Sequence, residues 1–131
     1  MILIFLTVLK VIDGDTVVTS DGQKIRYIGI DTPEIYYSRN SAEYFGYQAK
    51  DFNKKLVKGK NVKLEFDSEH FDKYDRALAY VYLEDGTFVN AELVKEGYAR
   101  VMTIEPNTKY ADLFKRLEKE AKAKKLGMWS R

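Results

Sequence analysis

The chain has 131 residues, with 22 Lys+Arg against 20 Asp+Glu, 45% hydrophobic and 32% charged residues, one His and no Cys. That length carries one domain spanning residues 1–131, and the composition excludes collagen-like, low-complexity and membrane-bundle chains. Without cysteine and with a single histidine, disulfides, thiolate nucleophiles and multi-histidine metal centres are excluded, so any metal is held mainly by oxygens, the donors of hard cations.

Residues 1–9 are apolar but lack a basic segment and a small-residue cleavage site, and are too few to span a bilayer. They read as the start of a buried strand, not as a leader or membrane anchor. Residues 3–12 and 15–20 are rich in Val, Ile, Leu and Thr, and Asp21-Gly22 turns the chain into the alternating run 24–30. The first 30 residues thus form a meander of antiparallel strands. Thr32-Pro33 ends the pattern, and 35–41 is a polar, Tyr-rich loop.

From about residue 42 to 58 the period changes. Phe45, Ala49, Phe52 and Leu56 recur at helical spacing, with Ser41 as the expected N-cap and Gly59 as the stop. Residues 61–67 and 76–83 return to strand patterning, and Asp85-Gly86 turns the second into a strand at 87–89. A short helix over 90–96 has Asn90 as its expected cap. A last helix over 108–124 lines up Tyr110, Phe114, Leu117 and Ala121. This order predicts an α+β fold: about five strands in a small antiparallel β-barrel, closed or partly open to hide its edges, with three helices against it.

The net charge of +2 says little about partners, but its distribution says more. Lysines 50, 54, 55, 58, 60 and 63 face one acid, Asp51, and residues 109–125 hold seven basic residues against three acids. Solvated helix faces and a surface that tolerates polyanions both fit this pattern.

Four constellations could carry chemistry. Asp13-Gly14-Asp15-Thr16 lies between two strand-like runs; Asp-Gly is also a strong hairpin signal, so a plain turn satisfies it. An EF-hand is excluded, because position 24 is Lys. Asp31-Thr32-Pro33-Glu34 follows an apolar strand, and a turn explains Pro33 but not the second acid. With Asp15 these carboxylates could hold one hard divalent cation and leave a base free. Arg26 precedes Asp31 by five residues, which regular alternation puts on opposite faces; a bend at Gly29 would reunite them. Asp72-Lys73-Tyr74-Asp75-Arg76 reads as a charged hairpin loop or as a phosphate clamp. Together, three carboxylates and two arginines describe metal-assisted phosphoryl transfer.

These motifs, in order, together with the ending Ala-Lys-Lys-Leu-Gly-Met-Trp-Ser, resemble the thermonuclease (staphylococcal nuclease) family over nearly the whole chain. The resemblance implies an OB-fold barrel with three helices and a calcium-dependent phosphodiesterase, a nuclease acting on single-stranded or locally melted DNA and RNA. It implies that Asp15 and Asp31 are Ca2+ ligands, with the backbone carbonyl of Thr32 as a third. Glu34 resembles the general base or a carboxylate that positions water, Arg26 and Arg76 the phosphate-binding arginines, and Lys73 and Tyr74 the contacts to a terminal phosphate. It further implies a monomer in a secreted or cell-envelope setting.

Three features depart from the family pattern. The first hairpin is about three residues shorter. Asp75 stands where the family has Gly, and Thr103 and Glu105 stand where it has two tyrosines near the nucleobase, which predicts weaker base binding. His70 reads as a loop histidine and Trp129 as a packing residue that pins the tail. Tyrosines 36, 37, 44 and 47 could cover the helix and loop or stack on bases. The competing class is a non-catalytic nucleic-acid or protein binding module of the same fold. Such modules typically lose the acidic ligands or the arginines, and this chain has all five.

Overall fold

The computed structural model describes residues 3–131; Met1 and Ile2, part of the expected opening strand, lie outside the described residues. Nine strands and three helices follow in the order β1 Leu3–Asp13, β2 Thr16–Thr19, β3 Lys24–Tyr27, β4 Ile30–Asp31, β5 Ile35–Tyr36, β6 Ser41–Ala42, α1 Gly46–Val57, β7 Asn61–Glu65, β8 Ala77–Leu83, α2 Val89–Lys95, β9 Arg100–Val101 and α3 Ala111–Ala123. Short 3-10 turns cover Tyr37–Arg39 and Gly127–Ser130.

Five strands close into a barrel in the order β1-β2-β3-β8-β7, which leaves no long edge open. Four seams are antiparallel, as expected, but β3 and β8 run parallel through Ile25↔Ala77, Arg26↔Leu78 and Tyr27↔Ala79. The reason is geometric. A ring with an odd number of strands cannot alternate direction all the way round, so one seam must be parallel. The interior is filled by Val8, Val17, Ile25, Val62, Leu64 and Val81, each no more than 1% exposed. Burying each such side chain contributes roughly 1.5–3 kcal/mol. From Phe5 onward the opening strand is buried only in part: Val8 and Val11 face inward, three residues apart because the register shifts between Val8 and Lys10, while Phe5 and Leu9 are largely exposed.

Three local expectations differ from the structure. Ser41 is not the cap of α1, because Ser41 and Ala42 pair with β5; the helix starts after a turn at Phe45, with no side-chain cap. Gly46 opens it where a Cβ would meet the Glu34 carbonyl at 3.0 Å. No strand forms over 87–89: Phe88 makes an isolated bridge to Tyr82 and Val89 already begins α2. Asn90 therefore sits inside α2, fully buried, where it accepts from the Val81 N–H and donates to the Ile28 carbonyl, both at 2.9 Å. It ties α2 to the parallel seam instead of capping a helix.

Two features of this frame position the site. Gly29 adopts φ +83°, and a Cβ there would meet the Phe114 ring at 2.6 Å, so α3 presses directly on the bend after β3. The tail is pinned by the close approach of Gly97 and Gly127, the Met128 N–H donating to the Gly97 carbonyl at 2.9 Å. No helix among the described residues is long and apolar enough to cross a membrane.

Candidate active site

The hairpin between β1 and β2 turns on two residues, Gly14 and Asp15, with Asp13 paired to Thr16. A Cβ on Gly14 would meet Thr32 at 2.7 Å, so the turn packs directly under the segment after β4. That contact places Asp15. Its Oδ2 accepts the Thr32 N–H at 2.9 Å, its Oδ1 accepts the Thr16 hydroxyl at 3.1 Å, and its own N–H donates to Asp13 Oδ1 at 3.1 Å.

Arg26 is the hub. Its Nη2 lies 3.3 Å from Asp15 Oδ2 and 3.4 Å from Asp31 Oδ1, and its Nη1 donates to the carbonyls of Tyr27 at 2.7 Å and Ile30 at 2.9 Å. The left-handed Gly29 supplies the bend that alternation required, carrying Asp31 back over Arg26. Only 11% of the Arg26 side chain is exposed.

Negative charge is in surplus here. Burial and the neighbouring Asp15 push the Asp13 carboxyl up to about 7. Burial, then Asp15, also raises Asp31, against the pull of Arg26 and Arg100. Glu34 is raised for the same reasons, burial first, then Asp15, Asp31 and Glu43. Glu43 Oε1 accepts the Glu34 N–H at 2.6 Å. The donors are hard carboxylate oxygens whose repulsion the arginines offset only in part, so the pair Asp15 and Asp31 fits a hard divalent cation. Among the described residues no three His, Cys, Asp or Glu side chains form a complete metal cage.

The second arm is the loop before β8. Asp72 organises it: Oδ1 accepts the N–H groups of Tyr74 at 2.8 Å and Arg76 at 3.1 Å, and Oδ2 accepts Arg76 Nε–H at 2.8 Å. Burial pushes the Asp72 carboxyl up, but these hydrogen bonds outweigh it and hold it below the usual range. Asp75 takes the left-handed conformation, φ +61°, and its carbonyl accepts Gln23 Nε2–H at 2.8 Å. The Lys73 ammonium and the Arg76 guanidinium lie 5.2 and 5.4 Å from the Tyr74 ring centre.

Arg26, Lys73, Tyr74 and Arg76 border one cavity of about 270 Å³, with Leu78, Met102 and Ile104 as apolar wall. Asp15, Asp31, Thr32 and Glu34 do not line it; Arg26 is the lining residue that contacts Asp15 and Asp31. Thr103 and Glu105 are exposed and off the cavity, and their neighbours Met102 and Ile104 form the wall in their place. The sequence pattern presents Asp72 only as one residue of a charged loop, not as the group that fixes Arg76, and does not single out Glu43 or Asn107, the latter a buried cavity residue whose amide brackets the Glu69 backbone. An Asp opening a charged turn four residues before an Arg is a signal for the first. Glu43 and Asn107 carry no comparable signal. His70 is an exposed loop residue stacked on Phe66, as expected.

The family model for staphylococcal nuclease homologues matches residues 24–131. Thermonuclease of Staphylococcus intermedius is 45% identical over 127 residues, covering 95% of this chain and 75% of that protein. SPbeta prophage-derived endonuclease YokF of Bacillus subtilis is 46% identical over 134 residues, covering 98% of the chain and 45% of that protein. Endonuclease YncB of the same organism is also 46% identical, with 98% and 63% covered. The motifs, the barrel and these similarities agree: the chain belongs to the staphylococcal nuclease homologue family.

Proposed function

We propose that the chain is a nuclease that hydrolyses phosphodiesters of DNA and RNA with low sequence specificity, using one calcium ion held by Asp15, Asp31 and the Thr32 carbonyl. The observation that carries this reading is the near-buried Arg26, which is shared between two carboxylates and also borders, with Arg76 and Lys73, a cavity. The names of the relatives, thermonuclease and endonuclease, support the same chemistry. Calcium, when bound, supplies positive charge against the phosphodiester and its developing negative charge.

The chain's own residues do the rest. Arg26 and Arg76 hold phosphate oxygens with forked N–H donors, which an ammonium cannot match. Asp72 fixes the approach of Arg76. Glu34 takes the proton of the attacking water at its carboxylate; its raised proton affinity makes it a stronger base than an ordinary Glu. The water oxygen bonds to phosphorus as the bond to the leaving ester oxygen breaks. Lys73 and Tyr74 hold a terminal phosphate at the mouth of the cavity. Leu78, Met102 and Ile104 offer a base apolar contact and no edge pattern to read, which supports low specificity. A cavity of about 270 Å³ suits an unstacked nucleotide better than a duplex, which favours single-stranded or locally melted substrate; the family resemblance favours a monomer. The family resemblance favours a secreted or cell-envelope setting.

Digestion of denatured DNA with calcium, against the same reaction with a chelator, tests the proposal. Degradation only with calcium is expected; binding without degradation in both arms would instead make the chain a non-catalytic binding module.

A further inference from the structure

A second groove, of about 330 Å³, opens beside the same site and shares no residue with the first cavity. Its walls include Pro33, Glu43, Tyr44, Arg100, Trp129 and Arg131. The backbone fixes its position. Ile30 and Met102 line the first cavity, Pro33 and Arg100 the second, and the β4–β9 pairs Ile30↔Val101 and Asp31↔Arg100 run between them. At ~3.3 Å per extended residue, Ile30 and Pro33 are about 10 Å apart along the chain. Asp31 and Glu34 stand at this divide.

The groove's chemistry is that of a nucleic-acid strand. Among the described residues neither Arg100 nor Arg131 enters an ion pair. The Arg131 guanidinium lies 4.3 Å from the centre of the Tyr44 ring, a stacked platform of the kind on which bases sit. The Lys122 ammonium lies 4.7 Å from the Trp129 ring, and the indole Nε1–H is a buried donor with no acceptor among the described residues. The one acid of the groove, Glu43, has Oε1 occupied by the Glu34 N–H, which keeps that oxygen at the active-site end.

We propose that this groove binds the polynucleotide strand that continues past the scissile phosphodiester, on the side away from the first cavity. Arg100 and Arg131 take phosphate oxygens, and the Tyr44–Arg131 platform and Trp129 stack bases. The inference rests on the nuclease reading above. It gives the enzyme a preference for longer single strands over substrates whose leaving group carries no nucleotide.

The test uses the full chain and the double variant Tyr44→Ala, Arg131→Ala. The substrates are a single-stranded oligonucleotide and a nucleoside p-nitrophenyl phosphodiester, which fills the first cavity only. The oligonucleotide-to-diester ratio of kcat/KM should fall by about 5- to 150-fold, the worth of one stacked base. An unaltered ratio, whether both rates stay high or fall together, overturns the proposal. Trp129 is the only tryptophan, so its emission reports the groove without turnover. In a Glu34→Gln background the oligonucleotide should shift that emission and the diester should not. Equal responses to both, or none to the oligonucleotide, also overturn it. If the wild-type chain cleaves neither substrate, the nuclease reading fails on its own, and the emission still reports whether the groove takes the strand.

Discussion

Replacing Arg26 by Lys keeps a positive charge and removes a geometry. The guanidinium spreads four contacts over two nitrogens: the Tyr27 and Ile30 carbonyls on Nη1, the Asp15 and Asp31 carboxylates on Nη2. An ammonium presents its three donors from a single atom and cannot serve both sets while also reaching substrate. Two losses follow, and they separate. The carbonyl bonds hold the bend at Gly29; Lys can recover one, so the fold loses one bond from a charged donor, about 1.5–3 kcal/mol. That is read as a lower urea midpoint at unaltered slope. The second loss is the forked donor to the phosphate in the transition state, worth roughly 10²–10³ in kcat, about 2.7–4 kcal/mol. Initial rates on denatured DNA at saturating calcium, in conditions where both proteins are folded, measure it. KM should move little, because charge still attracts the strand. A kcat within about threefold of wild type would mean that Arg26 does not contact the transition state, its place being purely structural.

Other expectations follow from the same geometry. Asp72→Asn leaves the loop's backbone acceptor but turns an amide toward Arg76 Nε; kcat should fall about tenfold, less than for Arg76→Lys, and an equal or larger loss would mean that Asp72 has a role beyond orienting Arg76. Glu34→Gln should lower kcat with little change in calcium affinity by titration calorimetry; loss of calcium binding would reassign Glu34 to the metal. Glu43→Gln removes one of the charges that raise Glu34, so the acid limb of the rate profile should move to lower pH; a static limb would exclude Glu34 as the titrating base. In the metal-free protein the Asp13 carboxyl binds its proton more tightly than in the unfolded chain. Stability attributable to it is therefore lost as pH rises from about 3.8 to about 7, and Asp13→Asn should flatten the urea midpoint across that window.

Most of the frame could be read from the sequence because it rests on local rules. Alternation at 24–30, helical spacing from Phe45 to Leu56 and the turn pairs Asp21-Gly22 and Asp85-Gly86 each act over a few residues. The misses share a cause: a partner outside the local pattern decided the outcome. Ser41 would cap a helix in isolation, yet its backbone is claimed by β5. Asn90 would cap one too, yet two barrel groups, the Val81 N–H and the Ile28 carbonyl, need its amide. The parallel seam is invisible to any local pattern, because it follows from the number of strands in a closed ring.

The candidate site divides along the same line. Residue types and spacing bring Asp15, Arg26, Asp31, Glu34 and Arg76 forward as candidates beside plain turns and a charged loop, and it is the family resemblance that implies their roles. What spacing cannot supply is which groups share a partner. Arg26 and Asp31 sit on opposite faces by alternation, and only the left-handed Gly29, pressed upon by Phe114 from α3, brings them within 3.4 Å. That dependence explains why a helix far along the chain matters to a site written near its start. Any substitution that lets α3 withdraw from Gly29 releases the bend, and with it the one guanidinium that joins the carboxylates to the cavity.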